Sequence, residues 1–134
     1  MIPVVTPEEM ADARENWDSV IAKMQGHAGG FPFDSHERMT LDDTPEQRRA
    51  LYERLWKRGG FKFFLDGYND IAMSEEANAS LADFIRDKIR ATVKDPAVAE
   101  KLCPNDHPYG SKRPPIDTDY YETFNRDNVS LADL

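Results

Sequence analysis

Apolar residues return along this chain every three or four positions far more often than every two, and that period marks helices. Met10, Ala13, Trp17, Val20, Ile21 and Met24 fall on one helical stripe. Ahead of it stand Thr6 as a cap, Pro7 at the first helical position and Glu9 to close a capping box. Gly26 stops the run, so the pattern predicts one helix over residues 7–26. Thr44-Pro45-Glu46-Gln47 repeats the start signal, with Leu51, Tyr52, Leu55 and Trp56 as the stripe and Gly59-Gly60 as the stop. Between them, residues 26–43 hold turn formers and no sustained period, a loop that Phe31 and Phe33 pin down. Phe61, Phe64, Leu65, Tyr68 and Ile71 again have helical spacing, with Gly67 a weak point and Phe63 off the main face. Ser74 then caps a longer helix, with Glu75 and Glu76 in its first turn where negative charge suits the helix dipole. Its buried face reads Ala77, Leu81, Phe84, Ile85, Ile89 and Val93, and Asp95-Pro96 opens a last short helix to Leu102.

The pattern changes after residue 103. Pro104, Pro108, Pro114 and Pro115 rule out a continuous helix. Residues 120–124 suit a single turn of helix. Val129, Ser130, Leu131 and Ala132 alternate like a strand, which needs a neighbouring strand for its backbone groups. The expected architecture is therefore mainly α: an irregular bundle of about five helices in residues 1–103. Residues 104–134 follow as an extended, poorly supported linker that ends in a returning strand.

Composition adds limits. The chain has 134 residues, enough for one hydrophobic core, with 40% hydrophobic and 31% charged residues. That describes a folded chain with modest core material. A net charge of −8 argues against a nucleic-acid surface, which needs clustered Lys and Arg. One cysteine, Cys103, cannot form an internal disulfide. The N-terminal residues lack the basic and apolar regions of a signal peptide, and no apolar run approaches a membrane span. A cytoplasmic protein is expected.

Few residues offer chemistry. The seven glycines, at 26, 29, 30, 59, 60, 67 and 110, form neither GxGxxG nor GxxxxGK[ST]. His27, His36 and His107 lack metal-ligand spacing, and no metal site is expected. Cys103 reads as a packed thiol unless His107 folds back to activate it. The acidic pairs Asp42-Asp43 and Glu75-Glu76 sit at helix starts, where capping accounts for them. There remains Lys112-Arg113. A solvated pair in a loop is the plain reading. The sharper one notes that the prolines behind it stiffen the backbone and fix two cationic side chains in direction. Such a pair suits a phosphate and a second, developing negative charge.

The segment HPYGSKRPPIDTDYYETFNRDNVSL, residues 107–131, resembles a stretch of the Baeyer–Villiger-type flavin monooxygenases. Upstream, the GG of 59–60, the AN of 77–78, the FIRDKIR of 84–90 and the VKDPAVAEKL of 93–102 resemble that family's helical region. The likeness is good over residues 45–134 and loose before that. It implies an internal piece of a larger α/β enzyme with two Rossmann domains, one for FAD and one for NADPH, this piece being the helical insertion and its following linker. The family reduces its flavin with NADPH and inserts an oxygen atom into ketones through a flavin peroxide. The resemblance makes Arg113 the active-site arginine that stabilises the anionic peroxyflavin and positions the nicotinamide. It makes Lys112 the contact to the NADPH 2′-phosphate. Both nucleotide fingerprints and the FxGxxxHxxxW signature are absent from these residues. The chain by itself is thus expected to be inactive and to hold neither FAD nor NADPH tightly, with the remaining Rossmann domains as its partners. The alternative is a helical interaction module that associates with itself.

Overall fold

Six helices lie among the described residues, which in this computed structural model are 5–27, 30–32, 38–60, 65–113 and 115–132. They are α1 (Pro7–Glu15), α2 (Trp17–Gly26), α3 (Pro45–Arg58), α4 (Glu75–Thr92), α5 (Pro96–Leu102) and α6 (Tyr120–Thr123), with a 3₁₀ turn at Thr40–Asp42. The two capping boxes form as the sequence predicts. The Thr6 hydroxyl accepts from the Glu9 amide at 3.1 Å while the Glu9 carboxylate accepts from the Thr6 amide at 2.9 Å. Gln47 takes the same part for Thr44 at the head of α3. Gly59, at φ +67°, ends α3 with its amide on the Leu55 carbonyl, a left-handed backbone that glycine adopts without strain.

The first expected helix is two. Asn16 leaves the helical region at φ −102°, ψ 26°, and its side-chain amide donates to Asp12 Oδ1 at 2.9 Å. The backbone bonds from the Asn16 amide to the Asp12 carbonyl and from the Val20 amide to the Asn16 carbonyl persist across the break, a local bend that the apolar stripe did not reveal. Neither α1 nor α2 has a buried residue, and Trp17 is 57% exposed. Phe31 touches the His27 ring edge-on and is itself exposed, while Phe33 lies outside the described residues.

α4 is the spine. The N-terminal half of its predicted face, with Ala77, Leu81 and Phe84, joins Tyr52 of α3 and the loop residues Tyr68 and Ile71 in one core cluster. The Tyr52 ring lies 5.4 Å from Phe84 and edge-on to Tyr68 at 6.0 Å. The C-terminal half, with Ile89 and then Val93, packs on Ala99 and Cys103 in a second cluster. Half-buried Ile85 touches both clusters.

The aromatic run differs from its expected helix. Residues 61–64, which include Phe61, Phe63 and Phe64, lie outside the described residues, and residues 66–73 are turns. The Asp70 carbonyl accepts the amides of both Met73 and Ser74 at 2.9 Å, which closes a turn where a helix would have continued. Helical spacing still placed Tyr68 and Ile71 inward. Asp43 was read as a helix-start charge, and that is corrected too. Thr44 is the cap, whereas Asp43 is buried and accepts from the Tyr68 hydroxyl at 2.5 Å and from Arg38. Buried Asp70 accepts from the Thr40 amide at 3.0 and 3.1 Å and from the Thr40 hydroxyl at 2.6 Å. Two carboxylates thus fasten residues 38–43 to residues 68–70.

The linker is irregular, with turns at residues 109–110 and 124–125 and the helical turn α6, and it is not poorly supported. Tyr109 packs on the first cluster, and Tyr121 and Phe124 pack on the second. Residues 129–132 are coil, and no strand lies among the described residues to pair with them.

Candidate functional site

Lys112 and Arg113 stand together at the surface, just past a tight turn. The Ser111 amide and hydroxyl both donate to the Pro108 carbonyl, at 3.2 and 2.8 Å. Gly110 sits at φ +82°, where a side chain would be strained. The Lys112 side chain is 68% exposed, and its Nζ lies 3.7 Å from Asp106 Oδ2. His107 bonds to the other Asp106 oxygen. That bond first, then a backbone bond and the Lys112 charge, hold the Asp106 carboxyl below its usual range. Arg113 is exposed, Pro115 is exposed, and Pro114 lies outside the described residues.

The loop owes its place to Asn78 on α4. The Asn78 amide nitrogen donates to the carbonyls of Ile71 and Tyr109, each at 2.9 Å, and its oxygen accepts the Tyr109 amide at 2.9 Å. Only one orientation of the amide satisfies all three bonds, so Asn78 is keyed as well as buried. The Tyr109 ring is pushed by burial to a pKa of about 12. Past the cationic pair, Asn125 repeats the device. Its oxygen accepts the Lys94 amide and its nitrogen donates to the Thr92 carbonyl, both at 2.8 Å.

Sequence reasoning singled out the cations and did not single out either asparagine. The available signal was a polar residue, Asn78, inside the apolar face of an amphipathic helix. Cys103 is buried, its thiol pushed up by that burial, and it contacts the Arg86 carbonyl at 3.9 Å. His107 bonds to Asp106 instead of serving as a base for that thiol. Among the described residues no three His, Cys, Asp or Glu side chains gather to hold a metal. No helix there is long and apolar enough to cross a membrane.

No family model matches the chain. Individual proteins do. It is 41% identical over 130 residues, 97% of its length, to the 2-oxo-Delta(3)-4,5,5-trimethylcyclopentenylacetyl-CoA monooxygenase of Pseudomonas putida. It is 41% identical over 133 residues, 96% of its length, to a Baeyer–Villiger monooxygenase of Pseudooceanicola batsensis. Among solved structures, that of OTEMO in complex with FAD and NADP superposes with a TM-score of 0.91 at 41% identity, over 96% of the chain. In each case the match takes up 24% of the other protein, so the chain spans about a quarter of the length of these relatives. In them this region is one part of a larger protein.

Proposed function

We propose, taking as premise that in sequence and fold this chain is a segment of the Baeyer–Villiger monooxygenases, that Lys112 and Arg113 form its contribution to the cofactor site of such an enzyme. FAD and NADPH are the cofactors the family implies. When bound, they supply the electrons that let one atom of dioxygen enter a ketone while the other leaves as water and NADPH becomes NADP⁺. The observation that supports the reading is the loop itself: two neighbouring exposed cations on a backbone fastened to α4.

The donor set fits. The Lys112 ammonium is two-thirds exposed and only loosely drawn to Asp106, so it can receive the 2′-phosphate that distinguishes NADPH from NADH. The Arg113 guanidinium presents a planar fork of donors. It suits an anionic oxygen at the reacting centre and the nicotinamide carboxamide beside it. The chain has no glycine turn to cradle a pyrophosphate, so its residues add contacts to a cofactor whose main seat lies in other segments. These are the partners of the proposal: the Rossmann domains of the same enzyme, in the cytoplasm where NADPH is supplied. A second reading, self-association, draws support from α1 and α2, which leave Met10 and Trp17 exposed.

The test is cofactor choice in the enzyme that carries this segment. Lys112→Ala should raise KM for NADPH about 10- to 100-fold, the worth of a hydrogen bond to a charged group, and leave KM for NADH nearly unchanged. Arg113→Ala should lower kcat with either nucleotide. Equal losses for NADPH and NADH on removing Lys112 would exclude the 2′-phosphate contact.

A further inference from the structure

Past the Arg86 bond to the Pro104 carbonyl, two asparagines fasten the linker at two further points, and the spacing between them is informative. Asn78 grips Tyr109 near the start of α4, and Asn125 grips Thr92 and Lys94 at its end. Along the helix axis, positions 78 and 92 are about 21 Å apart. The chain from 109 to 125 reaches about 50 Å when extended. The span between the grips is therefore slack as far as α6, where Tyr121 packs on the second cluster. Lys112 and Arg113 lie three and four residues from the Asn78 grip, but thirteen and twelve from the Asn125 grip. A slack segment transmits position over a few residues and loses it over a dozen.

We propose that Asn78 is the positioning residue of the Lys112–Arg113 pair, and that Asn125 holds α6 without setting where the cations point. This inference rests on the cofactor reading given above. Asn78 touches neither cofactor nor substrate in that reading. It acts through the Tyr109 backbone and the Pro108–Ser111 turn, handing the order of a core helix to an exposed loop. Its third bond, to the Ile71 carbonyl, ties the same amide to the first core cluster. The loop is thereby referenced to the interior of the bundle and not to its surface.

Trypsin reads this directly, because the Lys112–Arg113 bond is a substrate while the Arg113–Pro114 bond resists cleavage. Asn78→Asp keeps the acceptor for the Tyr109 amide and loses both donated bonds. Nicking at Lys112–Arg113 should accelerate about tenfold or more, following the larger open population, with Arg90–Ala91 in α4 still protected. Asn125→Ala should leave that nick within about twofold of the parent chain. Equal acceleration by both variants, or none by Asn78→Asp, overturns the proposal. Should Asn78→Asp unfold the chain and expose every site, hydrogen exchange on the unaltered chain decides. The Tyr109 amide must then be protected to the level of α4, and free exchange there overturns the proposal as well.

In the enzyme that carries the segment, Asn78→Asp should erode the preference for NADPH over NADH while Asn125→Ala keeps it, a split that general destabilisation does not produce. An Asn78 effect on nicking with no Lys112 effect on cofactor choice would leave the positioning in place and remove the cofactor reading. The reverse result would do the opposite.

Discussion

At the scale of single residues, the polar groups carry the information that periodicity cannot. Thr40 is fully buried, yet nothing in its neighbourhood of the sequence marks it as core. It earns that place through Asp70, whose carboxylate takes both its amide and its hydroxyl. Thr40→Val preserves the shape and deletes one charged hydrogen bond. It should cost about 1.5–3 kcal/mol of stability by urea unfolding, and Thr40→Ser should cost less because the hydroxyl remains. Equal costs for the two would mean that packing, not the bond, holds the turn. Such pairs, thirty positions apart, are invisible to a reading of local pattern. The same holds for Tyr68 with Asp43 and for Asn78 with Tyr109. Lys112 and Arg113 stand out as a candidate pair because charge and proline sit side by side in the sequence. Their support does not, since it comes from a helix thirty residues upstream.

At the scale of elements, caps and stripes told most of the story. α3, α4 and α5 begin at the predicted Thr44, Ser74 and Asp95, and α4 buries the predicted face with Ile85 half-covered. Two expected helices differ in the structure. The helix over 7–26 broke at Asn16, and the run after Gly60 became turns past residue 65. The linker departs from expectation through aromatic burial, and that gives it a pH dependence. Tyr109 ordinarily titrates near 10 and is raised to about 12 by burial. The neutral phenol is the packed form, so its stabilisation is complete below about pH 10 and is lost as pH climbs toward 12. The amide resonances of Gly110 and Ser111 should therefore shift toward random-coil positions across that window. Tyr109→Phe should move the transition to higher pH, and an unmoved midpoint would assign it to another tyrosine.

At the scale of the whole molecule, two features face outward: the exposed cationic loop and the exposed apolar side chains of α1 and α2. The cofactor reading accounts for both: in a larger enzyme the loop would meet a cofactor and the apolar side chains a covering domain. The alternative explains only the apolar one, through a second copy of the chain. Size-exclusion chromatography of the chain mixed with excess FAD separates these in one run, with flavin absorbance and mass read across the protein peak. The cofactor reading expects a colourless peak, because no glycine turn is present to seat the pyrophosphate and one loop of cations cannot hold a dinucleotide through a column. Flavin that travels with the protein would mean the bundle itself seats FAD, and would move the cofactor's main contacts from other segments into this one. Mass decides the other question. A peak that stays monomeric at every loading removes self-association and leaves Met10 and Trp17 as surface that another part of the enzyme covers. A peak that grows with concentration, and returns to a monomer on Trp17→Glu, would make α1 and α2 the contact between copies.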